Sequence, residues 1–273
     1  MTSPTSSAAT TIVIRDIESL DEMHEVEQLQ REIWGVEDLE IYPALALKPQ
    51  KEVGATLIGA FAEGRMVGFV FGFPGILDGE TIIHSDMLGI SPAYRSNNLG
   101  YLLKHAQRDA ALALGVKRIT WTFDPLQSRN AHFNFSKLGV IADRYYVDYY
   151  GVTSSFLHRY GTDRLWVTWL LENDRGQPPQ PFDIEGLPHL VRVGENCEPV
   201  LNQEPITGEE VVIEIPRELT EHHKLWRMAT RDAFTRALEK GFIVRGFYKG
   251  RYFLAADDTE KKTDPRRSGF KNP

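Results

Sequence analysis

From residue 88 the chain reads Leu88-Gly89-Ile90-Ser91-Pro92-Ala93-Tyr94-Arg95-Ser96-Asn97-Asn98-Leu99-Gly100. The residues that lead into this segment, 81–90, predict a strand. After it, leucine and alanine recur at helical spacing from Leu99 to Leu114, which predicts an amphipathic helix. The segment is therefore a loop ahead of a helix N-terminus. There, unpaired backbone N–H groups and the positive end of the helix dipole can bind an anion.

The loop contains the residue types that a phosphate site needs. Asn97, Asn98 and Gly100 readily adopt the left-handed backbone angles that leave amide groups open to a ligand. Arg95 adds a charged hydrogen-bond donor for phosphate. The loop is therefore predicted to bind a phosphate-containing ligand.

This segment resembles the pyrophosphate-binding segment of the Gcn5-related N-acetyltransferases (GNAT), whose usual loop is R/Q-x-x-G-x-G/A. Arg95 and Gly100 match that loop, and Asn98 stands where the first glycine is usual. The resemblance implies acetyl-CoA or another acyl-CoA as co-substrate, held in part by backbone groups of the preceding strand. It assigns this cofactor site to Leu88, Ile90, Arg95, Ser96, Asn97, Asn98, Leu99, Gly100, Tyr101 and Asn130.

A second segment, residues 130–140, is similar to the later GNAT motif N-x-x-A followed by F/L-Y-x-x-L-G-F. Asn130 either contacts the cofactor or caps its own helix. The family's usual tyrosine, which protonates the leaving thiolate, falls on Phe135, and a phenyl ring cannot donate a proton. General acid catalysis is typically worth about 10²–10⁴ in rate. The hydroxyl groups that could replace it belong to Tyr145, Tyr146, Tyr149 and Tyr150, and the sequence does not choose among them.

His84, Asp86 and Leu88 lie two residues apart on the predicted strand and so are expected to share one face. Some family members place a carboxylate base on the corresponding strand. Histidine can take a proton from an ammonium group near neutral pH. His84 and Asp86 are therefore assigned as the catalytic residues, with His84 acting as base or through a water. The alternative is a hydrogen-bonded core histidine beside a structural aspartate.

The chain up to residue 171 has the element pattern of an α/β fold. Further strands are predicted at residues 11–17, 55–61, 66–73, 116–123, 140–150 and 165–171, and further helices at 20–34 and 131–138. Together with the resemblance, this pattern predicts a GNAT-like mixed, mostly antiparallel sheet flanked by helices. The sheet should be splayed where coenzyme A enters.

After residue 172 the composition changes, and prolines within residues 176–181 indicate a linker. A smaller C-terminal α/β unit is predicted beyond it, with a strand at 211–215, a long helix ending at Gly241 and a hairpin at 242–255. In that helix, Leu225, Met228 and Leu238 are expected to face a core. Arg227 and Arg231 are expected either in a solvated charged stripe or at a substrate carboxylate. The predicted parts are a disordered lead (1–10), the acyl-CoA-binding domain (11–175), the C-terminal unit (176–256) and a flexible tail (257–273).

Composition argues against several classes of protein. The net charge is −7 with no long basic block, whereas nucleic-acid binding depends on clustered cations. No stretch approaches the roughly 18 apolar residues of a membrane helix, and the first residues lack a signal-peptide pattern. The single cysteine, Cys197, favours a reducing compartment, which predicts a cytoplasmic location. His132 lacks the spacing of a metal ligand, so no metal is predicted, and the oligomeric state is left open.

These observations predict an acyl-CoA-dependent N-acyltransferase of the acetyltransferase type, in which a primary amine attacks the thioester directly. The expected acceptor is a small-molecule amine, or an amino acid if Arg227 or Arg231 binds its carboxylate. The alternative is a non-catalytic acyl-CoA-binding sensor or scaffold protein, which Phe135 favours. A protein-interaction module fits less well, because the C-terminal half shows no exposed motif.

Overall fold

The computed structural model describes residues 11–95, 98–151, 158–173, 183–219 and 222–257. Within these ranges all the strands form one mixed sheet in the order β1-β2-β3-β4-β5-β7-β6-β11-β12-β10-β8-β9. The pairs β4–β5 and β8–β10 are parallel, and the other neighbours are antiparallel. The predicted mixed, mostly antiparallel sheet flanked by helices is confirmed.

The elements have the following bounds. The strands are β1 (Ile12–Asp16), β2 (Thr56–Ala62), β3 (Arg65–Leu77), β4 (Glu80–Ile90), β5 (Arg118–Phe123), β6 (Ile141–Tyr146), β7 (Arg164–Leu170), β8 (His189–Val193), β9 (Pro199–Leu201), β10 (Glu210–Glu214), β11 (Phe242–Tyr248) and β12 (Arg251–Ala256). The α-helices are α1 (Leu20–Trp34), α2 (Ala44–Glu52), α3 (Leu99–Ala113), α4 (Ser128–Ala131) and α5 (His223–Glu239). Helix α4 continues directly as a π-helical turn, His132–Lys137.

Helices α1 and α3 cover opposite faces of β2 and β3. Helix α1 begins with a capping box, in which Ser19 and Glu22 each accept a backbone N–H of the other. Its apolar stripe packs against Phe69 and Phe71, whereas Leu103 of α3 packs on the other face of the same strands. Because both faces are covered, every residue of β2 is buried.

Strand β4 carries a β-bulge at Asp86. Phe71 lies opposite Met87 and Gly72 lies opposite Ser85, so Asp86 is one residue too many for the register. The bulge interrupts the alternation of β4. Met87 therefore packs with the core under α1, and Leu88 packs with the core under α3. The prediction that Leu88 shares a face with His84 is wrong, because His84 contacts Phe73 on the α1 side.

The C-terminal strands extend the same sheet. Strand β11 pairs with β6 at Val244 and Ala142. One core cluster joins Phe135 and Trp169, which precede the predicted linker, to Trp226, which follows it. The boundary predicted at residue 175 lies outside the described residues, as do the lead at 1–10 and the tail after 257, so these limits stay predictions.

Helix α5 buries a different face from the one predicted. Leu225 and Met228 are 53% and 67% exposed, and so their assignment to the core is wrong. The buried face lies one position round the helix and consists of Trp226, Arg227, Ala229, Thr230, Ala233, Phe234 and Ala237. Leu238 packs against the core as predicted.

Three elements were not predicted, namely α2, β8 and β9. The extended segment predicted at 140–150 is shorter in the structure, because β6 ends at Tyr146 and residues 147–150 form a turn. Within the described ranges, no helix combines the length and the apolar character needed to cross a membrane.

Candidate active site

The gap between β4 and β5 is the central feature of the candidate site. These parallel strands pair only at Ile83–Ile119 and His84–Thr120. Beyond His84, β4 pairs with β3 alone and β5 pairs with β7. Backbone groups of residues 85–90 that point away from β3 therefore have no sheet partner, and an extended chain could bind there.

The gap has two differently built sides. On one, which we call the histidine side, the His84 ring lies between Thr120 and Trp166. Its Nδ1 is 3.0 Å from Thr120 Oγ1, and the His84 and Trp166 ring centroids are 4.8 Å apart. On the other, which we call the lysine side, Lys104 of α3 lies over the ring of Trp121 and donates a hydrogen bond to Ser85.

The predicted phosphate loop lies at the outer end of the gap. Asn98 immediately precedes α3 with a φ of +56°, the left-handed angle expected where glycine is usual. Arg95 is exposed, and its Nε donates a 3.4 Å hydrogen bond to the carbonyl of Ile90. Lys137 brings a second cation to the loop, since its Nζ lies 3.5 Å from Asn98 Oδ1. Ser96 and Asn97 lie outside the described residues.

The other predicted cofactor residues play mixed roles. The side chain of Leu99 is buried in the core, and Tyr101 packs with its ring centroid 4.1 Å from that of His105. Leu99 can therefore contribute only backbone groups to a ligand, and the cofactor contact of the half-buried Tyr101 stays a prediction. A Cβ added at Gly100 would lie 3.7 Å from Leu88 and 3.8 Å from Phe133, so the helix start lies close beneath these two side chains.

Asn130 and Asn134 differ from expectation. Asn130 is exposed inside α4, and Gln127 occupies the N-cap position, so the prediction that Asn130 caps this helix is wrong. Its cofactor contact stays a prediction. Asn134, which sequence reasoning did not single out, is buried and accepts a 3.2 Å hydrogen bond from the indole of Trp121.

His84 is an uncharged side chain at neutral pH. Burial, followed by the positive charge of Lys104, lowers the pKa of His84 to about 4. Its ring also contacts Phe73, with the centroids 5.5 Å apart. A neutral imidazole can accept a proton, but one with so low a pKa is a weak base, so it suits a relay through water better than direct abstraction.

Asp86 lies at the bulge and is exposed to solvent. Desolvation by the surrounding protein raises the pKa of its carboxyl group. Burial, and then the charges of Tyr150, Tyr146 and Asp86, raise the pKa of Tyr149. Asp86 is therefore close enough to Tyr149 for its charge to affect the pKa of that tyrosine.

Phe135 is fully buried and packs edge-on against Phe123 and Tyr252. Among the four tyrosines named as replacements, Tyr145 already donates a 2.7 Å hydrogen bond to Asp163, and burial raises its pKa well above the usual value. The hydroxyl of Tyr150 lies 3.4 Å from Thr122 of β5 and is thus beside the gap.

Arg227 and Arg231 pair with carboxylates of the protein itself. Arg227 is buried and makes two hydrogen bonds to Asp124, of 2.8 and 2.9 Å. Arg231 binds Asp163 at 2.8 Å and lies 3.4 Å from Asp148. For Arg227, both predicted alternatives are wrong. It is buried rather than part of a solvated stripe, and its guanidinium is occupied by Asp124 rather than available to a substrate carboxylate. Arg231 is half-buried and already paired with Asp163 and Asp148, so it does not support a substrate role.

A group of buried polar residues on the lysine side was missed by the sequence analysis. Gln107 accepts a 3.3 Å hydrogen bond from Lys104 and donates one of 3.0 Å to Thr56. Their positions in the sequence could have identified them as buried, because Lys104 and Gln107 lie beside Leu103 and Ala111 on the face that α3 buries. Hydrophobic periodicity alone overlooks polar residues on such a face.

Residues 20–139 match the family model described as Acetyltransferase (GNAT) family. These residues are a GNAT domain. The match runs from the start of α1 through the β4 bulge, the loop and α3 to Gly139, so it contains both segments on which the resemblance was based. The match supports an acyltransferase enzyme.

Several solved structures are similar to part of the chain. One is the ribosomal-protein-S18-alanine N-acetyltransferase from Escherichia coli, with 13% identity, a TM-score of 0.48, and coverage of 59% of this chain and 94% of that one. Another is a GNAT-family acetyltransferase from Streptococcus pneumoniae, with 18% identity, a TM-score of 0.46, and coverage of 59% and 99%. A third is the PaiA N-acetyltransferase from Thermoplasma acidophilum in complex with coenzyme A, with 17% identity, a TM-score of 0.43, and coverage of 59% and 99%. No curated protein sequence matches the chain. The family assignment rests on the match of residues 20–139.

Proposed function

We propose that this protein is an acyl-CoA-dependent N-acyltransferase, of the acetyltransferase type, that acts on a primary amine. The observation that carries the proposal is the gap between β4 and β5, which opens just past His84 and has the predicted phosphate loop at its outer end. Acyl-CoA, the co-substrate that the family implies, fits this arrangement. Its pyrophosphate would bind at Arg95 and the first amides of α3, and its extended arm along the unpaired edge of β4.

The proposed reaction is a direct transfer. The acceptor attacks as a neutral amine, so an ammonium acceptor first gives one proton to solvent. The amine nitrogen then forms a bond to the thioester carbon, the carbon–sulfur bond breaks with its electron pair going to sulfur, and the nitrogen loses one more proton. A backbone N–H at Leu88 or Ile90 would stabilise the oxygen anion that develops on the carbonyl. Neutral His84 would accept the amine proton through a water molecule.

The histidine side of the gap supports a cationic amine as acceptor. It presents the rings of Trp166, Tyr146 and Tyr149, whose neighbouring centroids lie 5.2–6.1 Å apart, together with the carboxylate of Asp86. Aromatic faces and a carboxylate both attract an ammonium group. With Arg227 and Arg231 paired internally, the earlier reason for an amino-acid acceptor no longer applies.

The cytoplasm is the proposed location. Cys197, the single cysteine of the sequence, is exposed and not in a disulfide, which suits a reducing compartment. Fractionation of cells that express the tagged protein would test this.

The function is tested by incubating the purified protein with acetyl-CoA and a panel of primary amines, and following both thiol release and the mass of the acylated product. Arg95→Ala should weaken coenzyme A binding by about 1.5–3 kcal/mol, the range for a hydrogen bond to a charged group. Arg65→Ala, which removes an exposed arginine at the start of β3, is the matched control and should bind normally. Equal affinities in all three proteins, measured by calorimetry, would contradict the cofactor site.

The second candidate function is a non-catalytic acyl-CoA-binding sensor or scaffold protein. The observation that favours it is Phe135, which puts a buried phenyl ring where the family's proton donor is usual. This candidate predicts tight acetyl-CoA binding with no thiol release for any amine in the panel. Turnover with any amine would exclude it.

A further inference from the structure

Lys104 is a buried lysine with an unusual set of partners. It is 2% exposed, and its Nζ donates hydrogen bonds to Ser85 Oγ at 2.7 Å and to Gln107 Oε1 at 3.3 Å. The same nitrogen lies 3.7 Å from the ring centroid of Trp121. An ammonium group has three N–H donors, and the two oxygens and the ring face provide three acceptors for them.

None of these partners carries a negative charge. Lysine is almost never fully buried unless it is paired, and in the described part of the chain no carboxylate pairs with Lys104. Burial accordingly lowers its pKa well below the usual value. An anion placed beside Nζ would raise that pKa again, because an opposite charge favours the ammonium form.

His84 is a titratable group that responds to Lys104. Burial is the larger cause of its lowered pKa, and the charge of Lys104 is the second. The other elements packed around Nζ present uncharged groups: Ser85 of β4, Gln107 of α3, Trp121 of β5 and, behind Trp121, Asn134. In the described part of the chain, no acidic side chain contacts Lys104 in this pocket.

The position of Nζ matches the inner end of the gap. The last paired residues of β4 and β5 are His84 and Thr120, and the contacts of Lys104 are with Ser85 and Trp121, one residue further along each strand. An extended arm that begins at the phosphate loop and follows β4 inward would run toward this point. The group at the end of the coenzyme A arm is its sulfur.

We propose that Lys104 stabilises the thiolate of coenzyme A by its positive charge when the acyl group departs. The inference rests on the proposed function. When the carbon–sulfur bond breaks, the electron pair stays on sulfur, and the ammonium group of Lys104 balances the new negative charge without taking the acyl group. This arrangement needs no tyrosine at Phe135, because a stabilised thiolate can leave without being protonated.

The test compares the binding of coenzyme A with that of desulfo-coenzyme A, which lacks the sulfur, by calorimetry between pH 6 and 9.5. A free thiol has a pKa of about 8.5. In the wild-type protein the bound thiol should ionise about one pKa unit lower, so that coenzyme A gains roughly tenfold in affinity over the desulfo form as the thiol ionises. Lys104→Met should lose this gain while binding desulfo-coenzyme A normally. Lys48→Met, at an exposed lysine of α2, is the control and should keep it.

The outcomes separate the two proposals. If neither ligand binds the wild-type protein, the cofactor site and this inference are both wrong. If both ligands bind and their affinity ratio does not change with pH in the wild-type protein, the site stands and the role of Lys104 is overturned. That comparison is decisive even if Lys104→Met fails to fold. A mass increase that maps to an acylated Lys104 would also contradict the inference, because acylation removes the charge.

Discussion

His84 shows how one buried residue links the gap to the stability of the fold. It is enclosed by Phe73, Thr120 and Trp166, and it lies near the unbalanced charge of Lys104. Both conditions oppose protonation. His84, which the sequence predicted as a base, is therefore kept in the neutral form that can accept a proton. The lowered pKa also makes it a weaker base.

This environment predicts a pH-dependent stability. The pKa of His84 is lowered from 6.5 to about 4 in the folded protein, so the unfolded chain binds this proton at a higher pH than the folded one does. Stability should therefore fall as the pH decreases through this window. Relative to His84→Gln, the wild-type protein should lose about 2 kcal/mol of unfolding free energy between pH 7 and pH 5.

Urea unfolding of both proteins at each pH gives the measurement. The comparison cancels the titration of Asp86 and the other carboxyl groups, because both proteins contain them. Parallel losses of stability in the two proteins would show that His84 has an ordinary pKa, and its proposed relay role would then need a different physical basis.

At the scale of elements, α5 has Leu225 and Met228 on its exposed side and three alanines among the residues of its buried side. Phe234 anchors the buried side, with ring centroids 5.4 Å from Tyr145 and 5.2 Å from Tyr252. We expect Phe234→Ala to cost about 3–5 kcal/mol, the usual range for truncating a buried phenylalanine. Met228→Ala, on the exposed side of the same helix, should change stability by no more than about 0.5 kcal/mol. Chemical denaturation measures both, and similar costs for the two variants would contradict the orientation of α5.

The elements that the sequence predicted well have strong local signals. Helix α1 has a capping box and a single apolar stripe, and the position before α3 has an asparagine, which tolerates the left-handed backbone angle found there. In α5 the signal was ambiguous, because Leu225 and Met228 are more hydrophobic than the alanines that are actually buried. Close packing against β6 and β11 favours small side chains, and periodicity cannot reveal that.

The candidate site was predictable in part for a similar reason. Arg95, Asn98 and Gly100 belong to one contiguous segment, and the structure places them together at one end of the gap. The faces of β4 were not predictable, because the bulge at Asp86 exists only in the pairing with β3. Lys104 depends on contacts with three separate elements, which no local pattern encodes.

At the scale of the whole molecule, a single sheet joins the GNAT domain to the C-terminal strands. Strand β11 continues the sheet from β6, and the buried pair of Asp124 with Arg227 links the end of β5 to α5. Burial would lower the pKa of Arg227, but the hydrogen bonds and charge of Asp124 raise it, so the guanidinium stays charged. Removing one partner would leave the other charge buried and unpaired.

The last prediction is that the two halves unfold together. Tryptophans report on both, since Trp169 precedes the predicted linker and Trp226 follows it, and far-UV circular dichroism reports on the whole sheet. Both signals should follow one denaturant transition, because a shared core couples the halves.

Arg227→Met should lower the unfolding free energy by about 3–5 kcal/mol, and the double variant Asp124→Leu with Arg227→Met should lose less, since it leaves no unpaired charge. Hydrogen exchange locates the effect: in Arg227→Met the amides of β2 and β3 should lose as much protection as those of β11 and β12. Loss confined to β11 and β12 would instead show that residues 176–256 are an independent unit, and the role of the C-terminal strands would then be separate from the gap.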